Sequence, residues 1–418
     1  METMKIKAGL DIGNGYVKGL VSVNGKKPTG VDYLSGVAIQ TSSADLKVKT
    51  NEAGEIIDDI FNEMEASFDS PVIASHTLRL FGKRGIASGK SMEEFDVAST
   101  ISKAQQDLSS FLIFGSVAGK ALQEYWNKNH ALPNDVIKVE ARISVALPIT
   151  EYKSYRQVYG DRYKGGTHMV SINNFETPVR IEIKFTDVQV LAEGASAQFA
   201  IVDKGEPLMD AMIKDMRAHG EVLDGIKAAD IIAAKNTVGI DIGEGTVNFP
   251  VFQNGRFNPD ASMSFMKGYG TVLEQAADRL RAKNFAFPSR KALADFLISE
   301  QTPLRRARYD AAKQIVDEEI EGFSMEVSQE FRKILSRVGS YVEVIYVYGG
   351  GANAVKEMLY PKLIETARGF GAADAAYPIL YLDSRYSRYL NREGLYLITE
   401  QVEAMQASQN GVAAQAQK

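Results

Sequence analysis

The sequence predicts an α/β protein built from two related lobes, and two observations support this prediction. A strand-turn-strand pattern near the amino terminus, Asp11-Ile12-Gly13-Asn14-Gly15-Tyr16-Val17, recurs as Asp241-Ile242-Gly243-Glu244-Gly245-Thr246-Val247. Apolar stretches typical of strands lead into both copies, and segments with helical apolar spacing separate them. Because two loops of one design imply two copies of one domain, we expect a duplicated fold.

Composition limits the class of protein. The 418 residues are 45% hydrophobic and 24% charged, which is enough to form two cores. A net charge of -5 gives no reason to expect nucleic acid or an anionic membrane as a direct partner. The absence of cysteine excludes disulfides, thiolate metal sites and a cysteine nucleophile. No apolar run approaches the roughly 18 residues of a membrane span, so we expect a cytoplasmic protein.

The first lobe is predicted to span residues 1–235. Its core comprises residues 1–35 and 98–235, and the short mixed pattern of residues 36–97 indicates an inserted small subdomain. Apolar positions at helical spacing predict a long packed helix within residues 99–129. Residues 136–147 predict a buried strand, and residues 169–183 predict a hairpin around Asn173 and Asn174.

The second lobe is predicted to span residues 236–405, with a core of residues 236–268 and 335–405. Between these core segments, residues 269–334 predict a helical subdomain with helices at 271–283 and at 290–298 after the capping residue Ser289. A further helical pattern at 304–338 has a predicted break near Gly322. Residues 406–418 are rich in Gln and Ala and are predicted to be a disordered tail.

The chemistry of the repeated loops points to phosphate. Glycine allows backbone N–H groups to approach phosphate oxygens closely, and a neighbouring carboxylate holds Mg²⁺ through its water ligands. A single Asp-x-Gly-x-Gly is often only a hairpin turn. Two copies in one chain predict a phosphate clamp, with Asp11 and Asp241 as the ligands of Mg²⁺, mostly through water.

A third glycine cluster, Gly349-Gly350-Gly351-Ala352-Asn353, follows an apolar strand and opens a helix. Without side chains, such a loop has room to pass under a flat adenine and its ribose. The alternative interpretation is an ordinary turn from strand to helix. Its position after the second phosphate loop favours the nucleotide interpretation.

These motifs resemble the actin, hexokinase and Hsp70 superfamily, and within it the bacterial actin-like ATPases of the ParM/StbA plasmid-segregation group. The resemblance covers about residues 5–400. Lys18 stands seven positions after Asp11, as the corresponding lysine does in actin. Three further segments resemble family motifs in the family's order: Ala146-Leu147-Pro148-Ile149, Val188-Gln189-Val190-Leu191-Ala192-Glu193-Gly194 and Asn391-Arg392-Glu393-Gly394. Ala192 stands where the family usually has proline.

The resemblance implies a fold and a site. The fold is actin-like, a duplicated ribonuclease-H-like arrangement of two lobes with an interlobe nucleotide cleft, which binds Mg²⁺ and ATP or GTP. In the implied mechanism Asp11 and Asp241 position hydrated Mg²⁺, and Glu193 orients or deprotonates the attacking water. The implied nucleotide-binding residues are Gly13, Asn14, Gly15, Tyr16, Lys18, Gly243, Glu244, Gly245, Thr246, Asn248, Gly349, Gly350, Gly351 and Asn353.

The resemblance also implies a function, with two alternatives. An actin-like ATPase of this group polymerises head to tail into nucleotide-dependent filaments and segregates plasmids through a DNA-binding adaptor, without binding nucleic acid or membrane itself. The first alternative is a small-molecule kinase with a sugar or acetate-like acceptor, but no aspartate has a convincing acceptor-activating context. The second is an Hsp70-like chaperone ATPase, which the first phosphate loop does not favour because it is not rich in threonine.

Overall fold

The computed structural model describes residues 2–41, 53–74, 77–95, 101–219, 225–370 and 377–416. Two compact units make up the chain: unit 1 contains Met1–Ala200 and Asn391–Lys418, and unit 2 contains Ile201–Leu390. These units differ from the predicted lobes in two places. Residues 201–235 group with unit 2, and the carboxy-terminal helix returns to unit 1. Both differences arise from packing between segments distant in sequence, described below.

Ten strands of the described residues form the sheet of unit 1. In chain order they are β1 (Met4–Ile12), β2 (Tyr16–Val23), β3 (Thr29–Leu34), β4 (Val37–Gln40), β5 (Glu65–Asp69), β6 (Leu78–Phe81), β7 (Met92–Glu93), β8 (Ile137–Leu147), β9 (His168–Ile172) and β10 (Val179–Ala192). Their order across the sheet is β3-β2-β1-β8-β10-β9-β5-β6-β4-β7. The central strands β1, β8 and β10 are parallel, and the predicted hairpin around Asn173 and Asn174 is confirmed as β9 and β10.

Helices cover this sheet and complete the first core. They are α1 (Ala53–Asp58), α2 (Ile60–Glu63), α3 (Gly82–Ala87), α4 (Asp107–Asn129) and α5 (Ile149–Asp161). The next helix, α6 (Ala195–Asp203), follows β10 and continues past Ala200, where the first segment of unit 1 ends. The segment predicted as an inserted subdomain, residues 36–97, supplies β4–β7 and extends the same sheet, because β5 pairs with β9. Residues 42–52, 75–76 and 96–97 of that segment lie outside the described residues.

Unit 2 has a second sheet whose first strand is β11 (Thr237–Ile242). The other strands are β12 (Val247–Phe249), β13 (Val251–Gln253), β14 (Arg256–Phe257), β15 (Met263–Phe265), β16 (Val344–Tyr348) and β17 (Ile379–Tyr381). Strands β16 and β17 continue the sheet in parallel on one side of β11, and β12 and β13 pair with it on the other. Pro250, which has no backbone N–H, separates β12 from β13.

The helices of unit 2 are α7 (Gly205–Ala218), α8 (Ala228–Ala233), α9 (Tyr269–Ala282), α10 (Arg290–Ile298), α11 (Arg306–Val338), α12 (Ala352–Arg368) and α13 (Ser384–Ser387). Ser289 caps α10 as predicted, since its Oγ accepts from Ala292 N at 3.1 Å. The predicted break at Gly322 is wrong, because α11 continues through it. Packing of α11 against α9 and α12 outweighs the low helix propensity of one glycine. Helix α7 packs against β17, which places it in unit 2.

The last helix, α14 (Leu390–Ala416), belongs to unit 1 because it crosses β1. Its Thr399 Oγ1 donates to Ala8 O at 3.2 Å, and a Cβ on Gly9 would lie only 2.2 Å from Tyr396 N. The helix continues to Ala416, whereas the sequence predicted a disordered tail from residue 406. Gln and Ala are good helix formers, so a helix that is already packed on the sheet extends through them.

The same strand order occurs in both units, which confirms the predicted duplication. In unit 1 the order is β3-β2-β1-β8-β10, and in unit 2 β15-β12-β11-β16-β17 has the same sequence of antiparallel and parallel neighbours. In each unit the repeated loop therefore follows the strand that lies at the centre of this five-strand order.

Candidate functional site

The first repeated loop is a tight turn between β1 and β2. Asp11, at the end of β1, pairs with Lys18 in the strand register. Gly13 N donates to Tyr16 O at 3.0 Å, and a Cβ on Gly13 would lie 2.8 Å from that same oxygen. Ser35 N, just after β3, donates to Gly15 O at 3.0 Å. The backbone of the turn is therefore held in place from both sides, while Asn14 and Tyr16 stay partly exposed.

Asp11 lies in an environment of mixed charge. Burial raises the pKa of the Asp11 carboxyl above its usual range, and Lys18 is the strongest charge that opposes this rise. The negative charge of Glu193 raises the pKa of Asp11 further, whereas Lys103 and Arg392 lower it. Two carboxylates and three cations thus share one region of unit 1. A set of both charges is suited to bind an anion together with the cation that neutralises it.

Glu193 directly follows β10 and is 9% exposed. Its backbone N donates to Leu147 O at 2.7 Å, which ties it to the end of the neighbouring strand β8. Because β1, β8 and β10 are parallel neighbours, Asp11 and Glu193 lie at the same edge of the sheet, on strands whose axes are two spacings, about 10 Å, apart. Gly194, at φ +78, then turns the chain into α6.

Two further cations near Asp11 were not predicted as site residues. Lys103 lies in a 3-10 turn, Lys103–Gln105, and its Nζ donates to Glu193 Oε1 at 2.6 Å. Arg392 lies near the start of α14, and a Cβ on Gly30 of β3 would be 3.2 Å from its Nη1. The sequence around Lys103 indicates a helix start but does not give the direction of the side chain. Arg392 stands in the connecting segment that resembled the family, where no role was assigned to it.

The second loop, between β11 and β12, repeats the first. Gly243 N donates to Thr246 O at 2.9 Å, the counterpart of the bond that closes the first turn. Asp241, paired with Asn248 in the strand register, is buried. Asn248 Oδ1 accepts from Ser264 Oγ at 2.6 Å, so its side chain is fixed within the sheet. The two loops thus share their hydrogen bonding as well as their sequence.

The start of α9 packs against the second loop. Tyr269 N donates to Gly243 O at 3.0 Å, and Gly270 N donates to Glu244 O at 2.8 Å. The Glu244 side chain forms an ion pair of 3.0 Å with Arg290, the first residue of α10. The loop is therefore bonded to two helices of its own unit, and Gly245 stays partly exposed.

The third glycine cluster lies directly against the second loop. Gly349 has φ +105, and a Cβ there would lie 2.5 Å from both Asp241 Oδ1 and Ile242 O. Gly351 N donates to Ile242 O at 2.9 Å. Only glycine at position 349 permits this close approach. The structure therefore joins two of the predicted motifs in one arrangement, with Gly350 exposed at its surface.

A cavity of about 620 Å³ lies in unit 2 near the start of α12, the helix that follows the glycine cluster. Asn353 of α12 lines it, together with Asp215 of α7 and Tyr381 of β17. Lys356 Nζ contacts both carboxylate oxygens of Asp215, at 2.8 and 2.9 Å, and lies 5.3 Å from the centre of the Tyr381 ring. The cavity combines an aromatic wall with charged hydrogen-bonding groups. Except for Asn353, the sequence prediction did not include these residues.

The described residues contain no group of three or more His, Cys, Asp or Glu side chains suited to hold a metal by themselves. Within the same described ranges, no helix is long and apolar enough to cross a membrane.

Known proteins with a similar fold include actin-like proteins. The family described as archaeal actin homologue MreB-like, C-terminal, matches residues 239–360. Among solved structures, the actin-like protein Alp7A is similar over 99% of this chain and 100% of its own, with a TM-score of 0.65 and 14% identity. ParM of Bacillus thuringiensis with ATP covers 96% of this chain and 99% of its own, with a TM-score of 0.60 and 14% identity. The chain has an actin-like, ParM-type fold.

An archaeal actin homologue has the same fold. Ta0583, an archaeal actin homologue solved in complex with ADP, covers 94% of this chain and 99% of its own, with a TM-score of 0.58 and 14% identity. Comparison with curated proteins finds no significant sequence match. The predicted actin-like fold class is confirmed, and at this level of identity the likeness concerns the fold alone.

Proposed function

We propose that this chain binds and hydrolyses Mg-ATP and assembles with itself in a nucleotide-dependent way. The observation that carries the proposal is the pair of matching turns. Asp11 and Asp241 each stand two residues before a glycine whose N–H closes the turn, near the ends of equivalent strands in two sheets that share one strand order. The ATP and ADP in two of the similar structures support a nucleotide as the ligand.

In the proposed site, the glycine turns present backbone N–H groups to the phosphate oxygens. Lys18, opposite Asp11 in the strand register, supplies a positive charge to the β- and γ-phosphates. Glu244 brings a negative charge into the second loop, but its ion pair with Arg290 offsets part of the repulsion toward phosphate. The loops thus combine fixed amides with a positive charge, as phosphate binding requires.

Asp11 and Asp241 suit hydrated Mg²⁺ because this ion prefers carboxylate and phosphate oxygens and is commonly held by one or two carboxylates. When bound, Mg²⁺ neutralises negative charge on the phosphates. Glu193, at the same sheet edge as Asp11, orients the attacking water or accepts its proton. Phosphoryl transfer depends mainly on positioning and charge neutralisation, so this set is sufficient for slow hydrolysis.

The nucleoside is assigned to the cavity beside the third glycine cluster. Its volume of about 620 Å³ lies in the range of small-molecule sites. The three glycines give the loop no side chains, which leaves room for a ligand, and Asn353 follows the loop at the start of α12. The Asp215 carboxylate can accept hydrogen bonds that ribose hydroxyls or a base amino group donate. We propose ATP as the preferred nucleotide and GTP as the alternative.

Self-assembly is proposed as a head-to-tail contact between copies, which forms an open filament because it does not close on itself. Two apolar side chains are candidates for such a contact: Ile298, the last residue of α10, is 85% exposed, and Leu304, on the segment before α11, is 95% exposed. The finer role that we propose is plasmid segregation through a DNA-binding adaptor. The net charge of -5 agrees with an indirect attachment to DNA.

The test combines sedimentation with phosphate release in Mg-ATP, Mg-ADP and Mg-GTP. We expect the wild type to pellet with triphosphate and to release phosphate. Glu193→Gln should bind and pellet but release phosphate at least about 100-fold more slowly, as expected for loss of a general base. Glu176→Gln, an exposed residue of the β9–β10 loop, is the matched control and should behave as the wild type.

A protein that stays in the supernatant with every nucleotide would overturn the assembly proposal. Absence of nucleotide binding would overturn the whole proposal. Transfer of phosphate to a sugar or to acetate, measured in the same reactions, would instead identify a small-molecule kinase.

A further inference from the structure

We propose that Lys103 is a positioning residue for hydrolysis, which holds the Glu193 carboxylate in the orientation that serves the attacking water. This inference rests on the proposed ATP hydrolysis and adds to it a residue that neither the repeated loops nor the resemblance identified. The Lys103 ammonium donates to Glu193 Oε1 at 2.6 Å. Both residues are buried, at 5% and 9% exposure.

The Lys103 side chain has little freedom. Its ammonium lies 5.1 Å from the centre of the Phe95 ring, and the whole stem is covered by protein. A buried ammonium ion needs a charged partner, and Glu193 supplies it. Lysine normally carries a flexible, hydrated charge. Here burial restricts the ammonium to the vicinity of Glu193, to which it donates, and of Asp11.

The backbone that carries Lys103 is fixed as well. Lys103 N donates to Glu151 Oε1 at 3.0 Å, and Ala104 N donates to Glu151 Oε2 at 3.3 Å. Ser109 Oγ donates to Lys103 O at 2.9 Å, and Arg162 Nη1 donates to Ala104 O at 2.7 Å. Side chains of α4, α5 and the residue after α5 therefore hold the 3-10 turn in register with the sheet edge that carries Glu193.

The ion pair leaves Glu193 able to act on water. A carboxylate has about four acceptor sites, so the bond from Lys103 orients it while using only part of its capacity to accept. Correct placement matters because a displacement of about 1 Å can lower a rate about 100-fold. Asp11, the neighbouring carboxylate at this edge, repels a negative Glu193, and the positive Lys103 opposes that repulsion.

A purely structural role is the competing interpretation. Buried ion pairs often contribute little net stability compared with apolar residues of the same size. A structural lysine would affect unfolding and nucleotide binding as much as turnover. A positioning lysine would affect turnover selectively and only when Glu193 is present.

The experiment measures kcat for ATP, the affinity for a fluorescent ATP analogue and the thermal midpoint in four variants. Lys103→Met keeps the stem but removes the charge, and we expect kcat to fall at least about tenfold with affinity changed less than about threefold. Lys103→Arg restores a cation and should recover most of the loss. Lys120→Met is the matched control, since Lys120 is a half-buried lysine on α4, 3.3 Å from Gln123 Oε1, and should keep full activity.

The fourth variant, Lys103→Met combined with Glu193→Gln, separates the two interpretations. If Lys103 acts through Glu193, the double variant is no slower than Glu193→Gln alone. Additive losses, or wild-type kcat in Lys103→Met while Glu193→Gln is slow, would overturn the role of Lys103 and leave ATP hydrolysis standing. A wild type that does not hydrolyse ATP would overturn both.

Discussion

Gly349→Ala is the substitution that most strongly disturbs the contact between the third glycine cluster and the second loop. At φ +105 an alanine is strained, and its Cβ would lie 2.5 Å from Asp241 Oδ1 and Ile242 O. Such backbone strain costs about 1–3 kcal/mol, and overpacking of a filled site adds about 1–3 kcal/mol. We therefore expect the free energy of unfolding to fall by about 2–6 kcal/mol, the sum of these two effects.

Urea denaturation followed by circular dichroism measures this loss, and hydrogen exchange of β11 and β16 localises it. Binding of a fluorescent ATP analogue should weaken in parallel, because the clash falls on Asp241. Gly322→Ala is the matched control: a Cβ there meets nothing within 4 Å in the middle of α11. It should raise the free energy of unfolding by about 0.5–1 kcal/mol. Wild-type stability and wild-type binding in Gly349→Ala would refute the assigned contact.

Three further outcomes are expected. Lys356→Met should weaken ATP binding about tenfold by breaking the pair with Asp215, whereas Lys362→Met, a change on the same helix outside the cavity, should not. Replacing Ile298 and Leu304 together by serine should reduce pelleting but not nucleotide binding. Burial lowers the pKa of His168, so unfolding takes up a proton below the unfolded value of about 6.5 and stability falls as pH falls further. His168→Gln should flatten this part of the stability profile in urea titrations.

The repeated loops could be predicted because their chemistry is local. A strand that ends in Asp-x-Gly-x-Gly must turn tightly, and the structure closes both turns with the same bond, from Gly13 N to Tyr16 O and from Gly243 N to Thr246 O. The cap at Ser289 is equally local, since a hydroxyl three residues before an N–H suffices. In each case the deciding atoms lie within a few residues of one another.

What could not be predicted depends on contacts between distant segments. The continuity of α11 through Gly322 comes from the helices packed on either side. The unit boundary depends on α14 returning to β1, some 390 residues earlier in the chain. Lys103 contacts Glu193 although 90 residues separate them in the chain, and no pattern in the sequence predicts that contact. The cavity around Lys356 and Asp215 likewise forms only when α7 packs beside α12 and β17.

The number of ATP molecules bound per chain, and its dependence on two aspartates, tests the proposed function most directly. Isothermal titration in Mg²⁺ should give one site per chain. Asp11→Asn and Asp241→Asn should each weaken that site by about tenfold or more, as expected when a residue that orders the metal's water ligands is lost. Asp135→Asn, an exposed control, should leave it unchanged. Two independent sites, or wild-type affinity in either aspartate variant, would contradict the binding of one Mg-ATP by both loops.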